Sequence, residues 1–231
     1  MNTGAARRLR NMHDALLAAY GPQHWWPTQS GCDTRFEVIV GAYLTQNTSW
    51  KAVERSLNAL RSANALTPDG LRSLPLAHLG ELIRPSGFVT RKAPALKAFL
   101  ALLDSEFSGL LDTMAAAPAT DLRRKLLALP SVGPETADAI LLYAFEAAVP
   151  VADEYLRRIA ERHGLLPSPV PRNIRGYESL TALTRQAFTP DRLEDRKKLF
   201  NEFHALTVAV GKAHCGSVPR CENCPLRFDL P

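Results

Sequence analysis

Three cysteines near the C-terminus have a spacing that is typical of metal ligands. Cys215, Cys221 and Cys224 form a C-x5-C-x2-C pattern. Such short loops let thiolates converge on one centre, which suits an iron–sulfur cluster; zinc is the rival metal, and a loop without metal is the third interpretation. Cys32 is far away in the sequence, and we expect it to have a core or pocket role. Four cysteines are too few for a disulfide scaffold, so the clustering indicates metal chemistry in a reducing compartment.

A second candidate site is the turn between two predicted helices at 121–146. The turn, LPSVG at 129–133, leaves backbone amides free at the N-terminus of the following helix. Those amides and the helix dipole form a site suited to a phosphate group. An ordinary helix–turn–helix corner has the same spacing, and the spacing alone does not separate the two interpretations.

The elements that must position these sites are predicted to be helices, because the apolar spacing is helical almost everywhere and no alternating strand pattern is found. Gly21-Pro22 ends the first helix. The predicted N-terminal signals are a capping box at Thr34 and Glu37 and single caps at Ser49, Thr67 and Thr120. Later helices are predicted at 134–145, 153–163, 174–188 and 191–212. The chain is therefore predicted to be all-α.

Composition and charge limit the class of protein. The 231 residues are 46% hydrophobic and 22% charged, which excludes general disorder and collagen-like repetition. No stretch approaches the roughly 18 apolar residues of a membrane span, and Asp14 interrupts the only apolar run near the N-terminus, so we expect a cytoplasmic protein. The net charge of +5 is compatible with nucleic-acid binding but does not establish it. The proline-rich loop at 165–173 is a candidate domain boundary.

The segment LPSVGPETADAIL resembles the helix-hairpin-helix of the endonuclease III superfamily of DNA glycosylases, which reads L-P-G-V-G with a lysine two residues on. The aspartate that follows in that family is matched by Asp153 in VPVADEYLRRI, and a cysteine cluster closes the chain in both. The resemblance extends over most of residues 34–228. The segments WWPTQSG and FEVIVGAYLTQNTSWKAVERSL are most similar to the branch that excises alkylated purines, notably 3-methyladenine.

The resemblance implies two helical lobes. One is a six-helix barrel at 34–146 that contains the helix-hairpin-helix at 121–146. The other is formed by both termini, 1–33 and 147–231, and carries the cysteine-cluster loop at 215–229. The implied partner is double-stranded DNA with a damaged base, with no membrane partner, and we expect a monomer.

The resemblance also assigns the chemistry. Asp153 matches the catalytic aspartate, which stabilises an oxocarbenium-like sugar and orients or deprotonates the attacking water; a helix N-cap without chemistry is the alternative. Glu135 stands at the position of the family lysine, and a carboxylate cannot form the Schiff base of the lyase step. The chain is therefore predicted to be a monofunctional glycosylase for an alkylated purine. The alternatives are an oxidised-pyrimidine glycosylase with weak or no lyase activity, and a non-catalytic damage binder.

Further site residues follow from the same resemblance. Gln46 matches the glutamine that fills the gap left by the flipped base, while a capping or loop role is its structural alternative. The predicted DNA contacts are Gln46, Asn47, Ser131, Val132 and Gly133. The predicted base pocket comprises Trp25, Trp26 and Tyr43. Plugging of the lobe junction accounts equally well for the two tryptophans, and core packing is the favoured alternative for Tyr43.

The family cysteine pattern is C-x6-C-x2-C-x5-C, and here Leu230 stands where the fourth cysteine would be. We predict a structural 4Fe-4S cluster on Cys215, Cys221 and Cys224 with Asp229 as fourth ligand; His214 or solvent is the alternative. Family hairpins also hold a monovalent cation through backbone carbonyls, which match Leu127, Leu129 and Val132 here. Ser131 replaces a glycine of that hairpin.

Overall fold

The structure, a computed structural model, describes residues 3–28, 34–189 and 191–231, so Cys32 lies outside the described residues. These ranges contain twelve α-helices and no strand, which confirms the all-α prediction. The helices are α1 Thr3–Tyr20, α2 Thr34–Thr45, α3 Trp50–Ser62, α4 Pro68–Ser73, α5 Leu76–Leu82, α6 Val89–Phe107, α7 Leu111–Ala115, α8 Ala119–Leu127, α9 Pro134–Tyr143, α10 Glu154–Arg162, α11 Ile174–Ala187 and α12 Leu193–Ala213. None of the helices in the described residues is both long and apolar enough to cross a membrane.

Local signals set most of the helix starts. The Thr67 hydroxyl oxygen accepts a hydrogen bond from the Gly70 N–H at 3.0 Å, and Pro68 is the first residue of α4, as predicted. Ser49 is the N-cap of α3, but its side chain makes no capping hydrogen bond. The predicted Thr120 cap is wrong, because the N-cap of α8 is Pro118, two residues earlier, and Thr120 lies inside the helix.

One compact unit spans Trp26–Glu146, and α2 is its central helix. α2 contacts α3, α6 and α9, and every residue from 36 to 44 is buried. A helix that is covered on all sides carries apolar residues all round, which explains the nearly continuous apolar run FEVIVGAYL. The one acid of that run, Glu37, pairs with Arg61 of α3 at 3.0 Å. α8 and α9 contact each other and form the hairpin.

The second unit comprises Met1–Trp25 and Ala147–Pro231. In it α1 contacts α11 and α12, and α10 contacts the same two helices. The loop at 165–173 connects α10 to α11 inside this unit, so the predicted domain boundary there is wrong. The predicted boundary between the two lobes lies between residues 33 and 34, whereas the structure divides the chain between Trp25 and Trp26. Trp26 belongs to the unit that contains α2, because its ring lies against Gly41 of that helix.

Candidate active site

Asp153 is the N-cap of α10 and a buried carboxylate at the same time. Its Oδ1 accepts the Leu156 N–H at 2.8 Å, and the residue is 8% exposed. Burial raises the pKa of Asp153 to about 6, while the N–H groups of Leu156 and Tyr155 and the charge of Arg158 oppose that rise. The capping and catalytic interpretations are therefore compatible, since a carboxylate that caps a helix through backbone N–H groups keeps its negative charge when it is ionised.

His204 of α12 lies next to this carboxylate, and the sequence analysis did not assign it a role. Its Nε2 is 3.8 Å from Asp153 Oδ2. Burial lowers the pKa of His204 to about 4, so the imidazole is neutral at pH 7 and the contact is not an ion pair. The Trp25 ring meets the imidazole edge-on, with 5.7 Å between centroids, and the Trp25 carbonyl accepts the side-chain N–H of Asn201 at 2.7 Å. The predicted aromatic residue Trp25 thus borders the candidate catalytic group through His204.

Because the pKa of Asp153 is raised in the folded chain, ionisation of this carboxyl group lowers the free energy of unfolding. An acid whose pKa is higher in the folded state than in the unfolded state destabilises the fold increasingly as pH rises between the two values. We expect Asp153→Asn, which retains a good N-cap, to be more stable than the native chain at pH 8 by on the order of 2 kcal/mol. The gain should vanish below about pH 4, where both forms are neutral. Urea unfolding of the native protein and of Asp153→Asn at pH 8 and pH 4 measures this gain. If the two proteins differed in their free energy of unfolding by the same amount at both pH values, the burial argument would be contradicted.

The hairpin turn has an open N-terminal end. Gly133 is the N-cap of α9 with φ −95°, a conformation that any residue adopts, and a Cβ added there would meet no atom within 4 Å. The folded chain therefore does not itself require glycine at 133, whereas close approach by a ligand would. Ser131 occupies the left-handed region with φ +63°, which favours the glycine that it replaces. Leu127, Leu129 and Val132, the predicted cation ligands, lie in or beside the turn, where the Leu129 carbonyl accepts the Val132 N–H at 3.3 Å.

The structure brings Gln46 to the hairpin. Its side-chain amide donates to the Ser131 carbonyl at 2.8 Å and to the Thr136 hydroxyl at 3.0 Å. The next residue, Asn47, is exposed with φ +51°. Two of the predicted DNA-contacting elements, the segment after α2 and the hairpin turn, are therefore physically joined within one unit.

Lys92 fixes the segment that carries Gln46, and the sequence analysis assigned it no role. It is 2% exposed, and its amine donates to the carbonyls of Leu44 and Ser86 at 2.9 and 2.8 Å and to the Thr48 hydroxyl at 2.9 Å. Burial lowers the pKa of Lys92 to about 8. A buried cation with three oxygen partners explains how the segment after α2 holds its position.

Glu135 lies in the first turn of α9 and is exposed. The nearest lysine in the hairpin, Lys125, is ion-paired with Glu106. Arg123 of the same helix forms a two-point ion pair with the buried Asp138, at 2.6 and 3.1 Å. The hairpin cations Arg123 and Lys125 therefore serve ion pairs within the unit.

The adjacent residues Trp25 and Trp26 belong to different units. The Trp26 ring makes a T-shaped contact with the Trp50 ring, with 5.4 Å between centroids, and a tilted contact with the Tyr143 ring, with 5.1 Å between centroids. These two partners were not predicted. Tyr43 is 0% exposed and packs near Phe99, so it is a core residue and its predicted place in the base pocket is corrected. We call Trp26, Trp50 and Tyr143 the aromatic cluster.

The three C-terminal cysteines line one cavity of about 190 Å³, together with His214 and apolar residues of α10 and α12. No three ligand-type side chains of the described residues are arranged to hold a single metal ion. Burial raises the pKa of the Cys224 thiol, and nearby Cys221 and Cys215 raise it further. Arg162 Nη1 donates to Cys215 Sγ at 3.0 Å. The three thiols share this cavity, and cysteine thiolates are the usual ligands of iron–sulfur clusters.

Asp229, the predicted fourth ligand, is engaged elsewhere. Its two carboxylate oxygens accept hydrogen bonds from Arg8 at 2.8 and 2.7 Å, and His163 Nδ1 lies 3.2 Å from Oδ2. His214 instead lines the cavity, with Nδ1 3.0 Å from the Arg220 carbonyl. Because a carbonyl only accepts, Nδ1 carries the hydrogen and Nε2 keeps its lone pair, which is the arrangement of a ligating imidazole. The structure thus favours the alternative ligand His214 over Asp229.

Residues 40–177 match the family model of the HhH-GPD superfamily base excision DNA repair proteins. The chain belongs to this superfamily. A relative from Methanocaldococcus jannaschii, provisionally named a DNA repair glycosylase, is 36% identical over 218 residues, covering 94% of this chain and 92% of its own. The predicted family, an endonuclease III-like helix-hairpin-helix superfamily, is confirmed.

Solved structures of the superfamily share the fold. The H. pylori 3-methyladenine DNA glycosylase MagIII, bound to 1,N6-ethenoadenine, has a TM-score of 0.73 and 25% identity, covering 90% of this chain and 97% of its own. A trapped covalent intermediate of endonuclease III with DNA has a TM-score of 0.76 and 20% identity, covering 97% of this chain and 95% of its own. At 20% identity, the likeness to endonuclease III shows a shared fold only.

Proposed function

We propose that this superfamily member is a monofunctional DNA glycosylase, which hydrolyses the N-glycosidic bond of a damaged base in duplex DNA. The observation that carries the proposal is the buried Asp153, with one oxygen held by the helix cap and a pKa near 6. Such a carboxylate is ionised at neutral pH, yet basic enough to take a proton from water. The MagIII structure, with 1,N6-ethenoadenine bound, supports a damaged base as the substrate.

The chemistry requires two actions from Asp153. Its negative charge stabilises the positive charge that develops on the sugar as the bond to the base lengthens. As the water oxygen forms its bond to C1′, one O–H bond breaks and the proton passes to the carboxylate. The C1′–N bond breaks with its electron pair on the departing base. Burial strengthens both effects, because the charge is poorly screened.

The absence of a lyase step rests on Glu135. Lyase chemistry needs an amine nucleophile to form an imine with the sugar, and Glu135 stands where the family has that lysine. Within the same unit, Lys125 pairs with Glu106 and the Lys92 amine is occupied by three oxygen acceptors. We therefore expect base release that leaves an intact abasic strand.

An alkylated purine is the substrate class that the side chains support best. The aromatic cluster offers extended ring surfaces, and a cationic alkylated purine is attracted to an aromatic face more strongly than a neutral base. Such a base also needs little acid assistance to leave, which fits a site whose assigned group is a carboxylate with a pKa near 6.

The assay that tests this function uses a panel of duplexes, each with one lesion, in which free base and strand breaks are scored separately. We expect release from alkylated-purine duplexes and no strand breaks beyond those of the protein-free control. Release restricted to oxidised pyrimidines would favour the pyrimidine alternative, and binding without release would favour the damage binder; either result would overturn the proposal.

For the cysteine cavity we propose a structural 4Fe-4S cluster held by Cys215, Cys221, Cys224 and His214. The support is the shared cavity, the available Nε2 of His214 and the engagement of Asp229 by Arg8. When bound, the cluster supplies a rigid, charged cross-link between α12 and the C-terminal loop. Arg162 supplies an N–H···S contact that stabilises the thiolate of Cys215.

Metal analysis tests this ligand set. We expect iron and acid-labile sulfide in anaerobically purified protein, because a cavity lined by three thiols is suited to a cluster. Asp229→Ala should keep the cluster and lose thermal stability through the Arg8 pair. His214→Ala should make the cluster sensitive to oxygen. Zinc without iron would contradict the cluster, and equal oxygen stability of the His214→Ala and native proteins would remove His214 from the ligand set.

A further inference from the structure

Most lysine and arginine side chains of the unit Trp26–Glu146 have an oxygen partner inside that unit. Arg72, for example, pairs with Asp104 at 2.6 Å, and the Lys97 amine donates to the Leu71 carbonyl at 2.7 Å. The exceptions among the described residues of the unit are exposed side chains that form no hydrogen bond or ion pair: Lys51, Arg55, Arg84 and Arg91. The charges of these side chains are therefore available to a partner outside the chain.

The exposed cations lie on elements that adjoin the segment after α2. Lys51 and Arg55 are four positions apart on α3, so they share a face of that helix, and α3 begins directly after the segment. Arg84 begins a single turn of 3₁₀ helix that packs against α3, and Arg91 lies in the first turn of α6. The buried Lys92 amine donates both to this 3₁₀ turn and to the last turn of α2, which holds these elements together.

Arg55 and Arg84 border one open depression of about 580 Å³, together with Glu81 and Pro85. Two guanidinium groups beside the same depression repel each other, and an anion bound between them would relieve that repulsion. Glu81 offsets part of this positive charge, but within the described part of the chain it forms no ion pair with either arginine. The planar guanidinium group matches the oxygens of a phosphate, so the depression suits a phosphate of a nucleic-acid backbone.

We propose that Lys51, Arg55, Arg84 and Arg91 form a second phosphate-binding surface, the basic face, which holds the backbone of duplex DNA beside the segment after α2. The inference rests on the proposed function, since it takes duplex DNA as the partner. Phosphate contacts carry no sequence information, so the basic face binds undamaged and damaged duplexes alike. It supplies the cationic contacts that the ion-paired arginine and lysine of the hairpin, Arg123 and Lys125, do not offer.

The double variant Arg55→Gln/Arg84→Gln tests the basic face on an undamaged duplex. We expect its affinity to fall about tenfold at about 0.1 M salt, and the slope of log affinity against log salt to become shallower by about 2, because each lost phosphate contact removes about 0.9. The matched control Arg35→Gln/Arg72→Gln removes the same charge from two ion-paired cations of the same unit. It should keep nearly the native affinity and slope.

Glu81→Gln gives a result that misfolding cannot imitate. Removal of this carboxylate from the depression should raise affinity for the undamaged duplex by about threefold, because it no longer repels the bound phosphate. Equal affinities and salt slopes for Arg55→Gln/Arg84→Gln and its matched control, or a Glu81→Gln variant that binds no more tightly than the native protein, would overturn the inference. Base release by the native protein would then still stand, whereas a native protein that binds no duplex would contradict the proposed function too.

Discussion

Asp153→Asn should abolish base release while leaving duplex binding nearly intact. The amide keeps the α10 cap, because its oxygen still accepts the Leu156 N–H, but it carries no negative charge and takes no proton. We expect the single-turnover rate on an alkylated-purine duplex to fall by about a thousandfold. Affinity for the same duplex should change by less than about threefold, because the lost interaction belongs to the transition state.

The pH dependence provides an internal check on this assignment. Because burial raises the pKa of Asp153 to about 6, the native rate should decline as pH falls through about 6. Arg158→Gln removes a positive charge that lowers this pKa, so its rate should begin to decline at a higher pH than that of the native chain. An unchanged rate for Asp153→Asn, or a pH profile that Arg158→Gln does not move, would assign the chemistry to another group.

Gly133→Asp should cause the largest loss of DNA affinity. The substitution places a side chain and a negative charge at the open N-terminal end of α9, where the hairpin amides are proposed to meet a phosphate. Folding should be unharmed, because the backbone there is extended, the added Cβ meets no atom and aspartate is a favoured N-cap. We expect duplex affinity to fall at least about tenfold and the salt dependence of binding to become shallower.

The matched control is Gly80→Asp in α5 of the same unit, where an added Cβ also meets no atom. It introduces the same charge away from the hairpin and should bind nearly as the native chain does. Gly133→Ala should have an intermediate effect, since it adds bulk without charge. If Gly133→Asp kept the native duplex affinity and salt dependence, the hairpin would be a structural turn and not a DNA-binding element.

The features that the sequence predicted well are local ones. Thr67 with Pro68 marks the start of α4, and Asp153 marks the start of α10, because a cap and its partner lie within one helical turn. The hairpin was predictable for the same reason, since its turn residues directly join two helices. Such signals depend on neighbours in the chain, which a single sequence displays.

The features that the sequence analysis missed depend on distant partners. Asp229 pairs with Arg8, which lies 221 positions earlier, and no pattern near the cysteines reveals that pair. His204 and Lys92 are buried polar residues whose partners come from other segments, so each looks like an ordinary helix residue in sequence. Trp25 and Trp26 are adjacent, yet they pack in different units, which only the three-dimensional structure reveals.

The central claim, hydrolysis without strand cleavage, is tested most directly on one duplex that carries a single alkylated purine. Released base, intact abasic strand and borohydride-trapped protein–DNA adduct are quantified in the same reaction. The account predicts one abasic strand for each released base and no trapped adduct, because Glu135 cannot form an imine. A trapped adduct that forms in proportion to released base would contradict it.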